Sequence, residues 1–298
     1  MGERSGELRP AAPVTRPASA RPRAGSSGDG SAPPSAPELD AMERHLGLMA
    51  THVGAQARAD PDLDGLLIVV GVPPGRGIDQ GSFVRWPDGW ADARTAAFET
   101  SMRAQGAWPA LVVVEGRSTP ADLTTTLSQR GWTWLSSETV LWTRRAAPVP
   151  HLDPSLLLEA VTARSAAEHE DLERHIFGVP ESSAASRLAG TRRAIDDGTL
   201  RAFLLRSRGE AIAVARLSLR EGMAALAGIG VTPGRRGEGL GGLITAICLR
   251  AGLALGRPLI WLSVDEHNDE ALAVYDRLGF RPAFRWHRWL APAPVQKE

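Results

Sequence analysis

The sequence predicts an α/β (α+β) protein, a mixed and mostly antiparallel sheet flanked by helices, built as two tandem copies. Three observations predict it. Three strand-like runs, Leu200 to Arg206, Ala211 to Leu219 and Met223 to Val231, follow one another across the hairpin dipeptides Arg208-Gly209 and Glu221-Gly222. A helical run and a further strand, Leu259 to Val264, then make one β-α-β unit. Finally, Leu127-Ser128-Gln129-Arg130-Gly131-Trp132 ends a helix as Tyr275-Asp276-Arg277-Leu278-Gly279-Phe280 does, each followed by a Trp-bearing strand. A Gly at a helix end is also a general C-cap, so the matching element order carries the duplication.

The elements are expected in this order. Residues 1–38 are rich in Pro, Ala, Ser, Gly and Arg and offer nothing to bury, so they are expected to be a disordered tail. Asp40 with Glu43 reads as a capping box for a first helix bearing Met42, Leu46, Met49 and Val53. Strands follow at Leu66 to Val72 and Ser82 to Trp86, then a helix from Asp92 to Gln105 and a strand from Ala110 to Glu115. A helix after Pro120, whose ring suits a first turn, ends at Gly131, and a long strand, Trp132 to Thr143, closes a first domain over residues 39–145. Ala146-Ala147-Pro148-Val149-Pro150 reads as a linker. The second domain, residues 151–292, opens with a strand (Leu156 to Val161), a helix capped by Ser165 with Glu168, and a helix over Glu181 to Ile195. After the three strands come a helix to Leu255, the strand from Leu259, a helix over Asn268 to Leu278 and a last strand, Ala283 to Leu290.

Composition narrows the function classes. The 34 basic and 34 acidic side chains cancel, which argues against nucleic acid or an acidic membrane surface as partner. The lone Cys248 excludes an intrachain disulfide and a cysteine-based metal cluster, and its apolar helical setting marks a buried thiol. No apolar run is long enough to span a bilayer, and no signal-peptide core is visible, so a cytoplasmic location is expected.

The chemistry concentrates between Val231 and Phe280. The stretch Val231-Thr232-Pro233-Gly234-Arg235-Arg236-Gly237-Glu238-Gly239-Leu240-Gly241-Gly242 opens a helix, and glycine N–H groups at a helix start approach an anion closely. A P-loop would end in Gly-Lys-Ser/Thr, and a dinucleotide fingerprint would open the first turn of a parallel sheet; neither fits. Seven residues after Asn268, and so two helical turns along one face, stands Tyr275, the only tyrosine of the 298 residues.

The order strand, Val-x-Pro-x-x-Arg-x-x-Gly-x-Gly, helix, strand, Asn, helix with Tyr, Leu-Gly-Phe resembles the GCN5-related N-acetyltransferase (GNAT) superfamily over about residues 155–290. The resemblance implies a GNAT-like fold and an N-acetyltransferase that moves acetyl from acetyl-CoA to a primary amine by direct attack, with no metal. It implies that the backbone of Arg236, Gly237, Glu238, Gly239, Leu240, Gly241 and Gly242 receives the pyrophosphate, with Arg236 adding positive potential. Ile229 and Val231 would pair their backbone with the pantetheine arm, and Asn268 would bond that arm or cap its own helix. Tyr275 would be the general acid toward the departing thiolate, since a phenol stays protonated at neutral pH. The acceptor would be a small-molecule or peptide amine. The same motifs also suit a different acyl-CoA donor or a non-catalytic acyl-CoA-sensing module.

A proton acceptor is harder to place, because Met223 to Val231 contains no ionisable residue. Glu221, Asp265, Glu266, Glu170, His175 or a water chain remain as candidates. The first half has neither Arg-x-x-Gly-x-Gly nor a tyrosine, so it is expected to be a degenerate copy without cofactor binding. The second half, holding every cofactor motif, is expected to bind acetyl-CoA when isolated from about Val149 but to turn over poorly, the first half completing the acceptor cleft and one flank of the sheet.

Overall fold

The computed structural model describes residues 32–60, 63, 66–71, 81–83, 92–149 and 153–293. Helix α1 (Ala36–Met49) starts inside the segment expected to lack structure; the remainder of that segment, through residue 31, lies outside the described residues. Its cap is one turn earlier than the sequence suggested. The Glu38 carboxylate accepts hydrogen bonds from the Ser35 backbone N–H and hydroxyl at 2.8 and 2.9 Å, closing a capping box there. Asp40 and Glu43 are instead interior positions whose carboxylates both pair with Arg117.

Along the first half run β1 (Gln56–Asp60), β2 (Leu66–Val70), β3 (Gly81–Phe83), α2 (Asp92–Ala104), β4 (Ala110–Val114), α3 (Leu123–Gln129) and β5 (Thr133–Thr143). Strand β1 has no sequence-level counterpart. Its Gln-Ala-Arg-Ala-Asp run lacks apolar alternation because it is an edge strand, paired on one side only with β2. The second half contributes β6 (Leu156–Ala160), α4 (Ala166–Phe177), α5 (Ala184–Asp196), β7 (Leu200–Ser207), β8 (Glu210–Arg220), β9 (Met223–Val231), α6 (Leu240–Ala254), β10 (Ile260–Asp265), α7 (Asp269–Arg277) and β11 (Arg281–Leu290). The hairpin residues Arg208 and Glu221 adopt φ of 51° and 53°, and each is followed by a positive-φ glycine, the left-handed geometry such tight turns demand.

All described strands join one sheet in the order β1-β2-β3-β4-β11-β5-β10-β9-β8-β7-β6. The halves interleave at its centre. Antiparallel β5, from the first half, pairs with β10 from Thr143↔Ile260 to Glu138↔Asp265, while β11, from the second, pairs with β4. The two exchanged strands also pair with each other. Each half thus contains a run of antiparallel, antiparallel, then parallel pairings (β1-β2-β3-β4 and β7-β8-β9-β10), and places its last strand beside the end of the other half's run. The second half is therefore not closed by its own chain, which removes the physical basis for an independently binding fragment beginning near Val149.

The two faces of the central strands bury different partners. On one, Leu141, Leu217, Leu226 and Leu262 pack beneath α6 through Leu243, Ile244 and Leu249, and Cys248 is fully buried among them. On the other, Met42 of α1 packs with Trp142, Trp261 and Trp286. His45 of α1 anchors this face. Its Nδ1 accepts from Trp261 Nε1–H at 3.3 Å, so its Nε2–H donates to Ser218 Oγ at 2.7 Å. Truncating a tryptophan buried this deeply typically costs about 3–5 kcal/mol.

Candidate active site

The site is a gap that the sheet itself opens. Parallel β9 and β10 are paired at Ala224↔Ile260, Ala225↔Trp261 and Leu226↔Leu262, and there the ladder stops. Beyond it, β10 stays fixed to β5 as far as Asp265, whereas β9 diverges to Val231. Among the described residues, no strand pairs with residues 227–231 on the β10 side, and Ile229 and Val231 both lie on this stretch. On its other side β9 carries a bulge, where Gly228 and Ile229 oppose the single residue Ala215 of β8. Gly228 has φ of 56°, a conformation that favours glycine and bends the strand.

The diverging strand leads into the cradle. A short 3-10 turn, Pro233–Arg235, is followed by Gly237 and Gly239 with φ of 81° and 77°, and Gly239 is the N-cap of α6. The cap and first turn read Gly239, Leu240, Gly241, Gly242, whose four N–H groups have no intrahelical acceptor. Glycine supplies no side chain to cap them, so these donors and the positive end of the helix face outward. A Cβ built on Gly237 or Gly239 would meet nothing within 4 Å, and one on Gly241 only Val231 Cγ2 at 3.9 Å. The cradle is thus open space beside the end of β9, of the kind a pyrophosphate fills.

The predicted residues divide by what they offer here. Leu240 buries its side chain, so its N–H alone faces the cradle. Glu238 is tied to Arg235 at 2.7 Å, which holds its carboxyl below the usual carboxylate range. That pair lets Glu238 stand next to an anion site without presenting a bare negative charge. Arg236 is exposed, its Nε lying 3.4 Å from the Val231 carbonyl. Asn268 caps α7, its Oδ1 accepting from Ala271 N–H at 3.1 Å.

Tyr275 sits on α7, which leans on the cradle helix: a Cβ on Gly242 would touch Val274 at 3.6 Å. The ring is 9 % exposed and meets Phe280 edge-on at 5.8 Å. Burial pushes the phenol up to about 12, so it is protonated at neutral pH. Its hydroxyl makes no hydrogen bond to any described residue, which leaves that donor for a ligand.

The candidate proton acceptors scatter. Glu221 lies in the β8–β9 turn, at the end of β9 remote from the cradle, and pairs with Arg44. The Asp265 carboxylate accepts from the His267 N–H, and Glu266 pairs with Arg285. His175 lines a polar surface cleft of about 340 Å³ with Asp171, Arg174, Val179 and Glu181. Glu170 is buried in an ionic cluster with Arg187 and Arg216. Sequence reading missed a further member of that cluster, Glu173, whose Oε1 would lie 2.3 Å from a Cβ at Gly228. The available signal was a glycine inside a strand, three residues before the cradle strand ends.

Part of this chain is similar to a known family. Residues 166–280 match the acetyltransferase (GNAT) family. The matched span runs from the start of α4 to Phe280 and so contains the gap, the cradle and Tyr275. Two curated relatives are similar to parts of the chain, both named mycothiol acetyltransferase. The one from Streptomyces scabiei is 34% identical over 141 residues, 43% of this chain and 46% of the relative. The other, from Streptomyces avermitilis, is 41% identical over 80 residues, 26% of each chain. The aligned segments therefore span under half the length of either relative. Among solved structures, the GCN5-related N-acetyltransferase from Kribbella flavida superposes with a TM-score of 0.61 at 21% identity, covering 87% of this chain and 96% of that one. The fold is that of a GNAT protein. Among the described residues, no helix is long and apolar enough to cross a membrane.

Proposed function

We propose that this protein is an acetyl-CoA-dependent N-acetyltransferase whose active site is the gap between β9 and β10. The observation that carries the proposal is the coincidence of three features at one place: a strand released from its ladder, a helix start made of glycines, and a protonated tyrosine with a free hydroxyl. Residues 227–231 offer unpaired backbone groups to the amides of the pantetheine arm, as an added strand would. The N–H groups of Gly239, Leu240, Gly241 and Gly242 suit the pyrophosphate. When bound, acetyl-CoA supplies an activated thioester; the chain's own part is to hold it, position an amine against it and return a proton to sulfur. Tyr275 performs the last task as general acid. The amine is a small-molecule or peptide amine, and the name of the curated relatives puts acceptors of the mycothiol type first among those to try.

We read the two halves as tandem copies of which only the second, residues 151–292, is chemically equipped. Support comes from their common strand pairing, with a first domain over residues 39–145 that carries no cradle sequence. The test is release of free thiol from acetyl-CoA by purified protein in the presence of a panel of amines. Amine-dependent release is expected. Binding of acetyl-CoA with no release by any amine would favour the sensing alternative.

A further inference from the structure

The cluster beneath the β9 bulge has no part in the chemistry just described, yet it touches the site. Four charged side chains are packed there, all buried: Glu170 and Glu173 of α4, Arg187 of α5 and Arg216 of β8. Arg216 donates to Glu173 Oε2 from Nε at 2.8 Å and from Nη2 at 2.5 Å, and its Nη2 also meets Glu170 Oε1. Arg187 donates to Glu173 Oε2 at 3.0 Å and to Glu170 Oε2 at 3.1 Å. Thr191 accepts from Arg216 Nη1 at 2.9 Å and lies 2.5 Å from Glu170 Oε1. Two acids and two guanidiniums balance, and the arginines hold Glu173 in its ionised form. His169 stands close enough to complete a metal-like trio with the two carboxylates, but both carboxylates already face guanidiniums that would repel a cation.

Glu170 Oε2 and Glu173 Oε1 each accept one bond, and the latter points at the strand. Glu173 Oε1 accepts a single bond, from Arg216 Nε at 3.1 Å, and occupies the space a side chain at Gly228 would need. Arg216 immediately follows Ala215, the residue that the bulge leaves opposite two partners, and its own side chain would lie 3.4 Å from that same Cβ. The ion pair is therefore seated directly on the bulged backbone, on the face away from α6.

We propose that Glu173 and Arg216 are positioning residues that fix the β9 bulge and so aim the free backbone of Gly228 and Ile229 at the acyl arm. The inference rests on the cofactor reading above. It predicts that the pair governs recognition of the arm and leaves the pyrophosphate cradle, beyond Val231, unaffected. The experiment compares calorimetric affinities for acetyl-CoA and for 3′-phospho-ADP, which carries the pyrophosphate but no arm. In Glu173→Gln, acetyl-CoA affinity is expected to fall about tenfold, the loss of one or two backbone hydrogen bonds, while 3′-phospho-ADP affinity stays unchanged. Breaking one side of a buried pair can unfold a domain, whereas replacing both sides by apolar groups is often tolerated. If Glu173→Gln does not fold, the double variant Glu173→Met with Arg216→Met, which leaves Glu170 and Arg187 as a balanced pair, carries the same expectation. A folded variant in which both affinities are unchanged, or both fall alike, would overturn the positioning role. Wild-type protein that bound neither ligand would overturn the cofactor reading itself.

Discussion

The segments β3-α2-β4-α3-β5 and β9-α6-β10-α7-β11 share an element order and a pairing scheme, yet only one carries the residues we assign to an active site. Their last helices show the contrast most closely. Gly131 and Gly279 end them with φ of 79° and 82°. Trp132 N–H returns to the Leu127 carbonyl at 3.0 Å, as Phe280 N–H returns to the Tyr275 carbonyl at 3.0 Å. Leu127 therefore occupies in the first half the place of Tyr275 in the second, and it is completely buried. The same backbone frame serves packing in one half and, in our reading, proton donation in the other. In that reading function depends on a few side chains and the glycines at the start of α6, while the frame is held by strands that each half lends its counterpart.

The exchange makes the sharpest prediction. A fragment beginning at Val149 lacks α1, β4 and β5, leaving β10 with an exposed edge, β11 without either of its partner strands, and Trp261 and Trp286 uncovered. It is expected to show no cooperative thermal transition by circular dichroism; a cooperatively folded fragment would mean that β11 can close the second half alone.

Tyr275→Phe separates the two uses of the common helix. Removing the hydroxyl spares the contact with Phe280 and should lower kcat by about 10²–10⁴-fold, the usual range for general acid catalysis, with acetyl-CoA affinity nearly unchanged. Full turnover by this variant would give Tyr275 the same packing role as Leu127.

Acid should destabilise the fold, through His45 and His52 at the contact between the halves and through His169 within the second. Burial, with the nearby Arg220, lowers His45 and His52 from 6.5 to about 3, and burial lowers His169 to about 4. These folded-state values lie below the unfolded one, so the folded chain keeps the rings neutral while the unfolded chain takes up protons. Stability is full above pH 6.5 and is lost as pH falls toward 4 and then 3. By pH 5 each ring contributes a loss of about 2 kcal/mol at most, and together they should lower Tm by roughly 5–10 °C relative to pH 7.5. An unchanged Tm over that interval would show that these rings are not held neutral.

The smallest effect is expected at Asn268. Because its Oδ1 caps α7, Asn268→Ala should cost about 1 kcal/mol in stability, read by urea denaturation, with little change in acetyl-CoA affinity. A large loss of affinity at unchanged stability would give it a direct cofactor contact.

Much of this was legible in the sequence, for physical reasons. The strands Leu200 to Val231 alternate or run apolar between positive-φ turns, and α6 and β10 are largely apolar runs, so local pattern and tertiary role agree. The glycine-rich start of α6 and the place of Tyr275 on α7 were legible because both fall where the local pattern set the helices. Three features escaped. The polar edge strand β1 carries no periodic signal. The exchange of β5 and β11 depends on pairings between residues more than a hundred positions apart, which no local pattern encodes. Glu173 carries no signal in the sequence, because its partners Arg187 and Arg216 come from other elements and its relation to Gly228 exists only in three dimensions.

The central claim is that the glycine cradle at the start of α6 receives the cofactor, and Gly241→Trp tests it most directly. Gly241 lies in the first turn of the helix with only Val231 Cγ2 near its would-be Cβ, so an indole can be accommodated outward without disturbing the core. It would then fill the space assigned to the pyrophosphate. Calorimetry should show acetyl-CoA binding to the wild-type chain and none to a Gly241→Trp variant of unchanged Tm. Wild-type affinity in that folded variant would contradict the account.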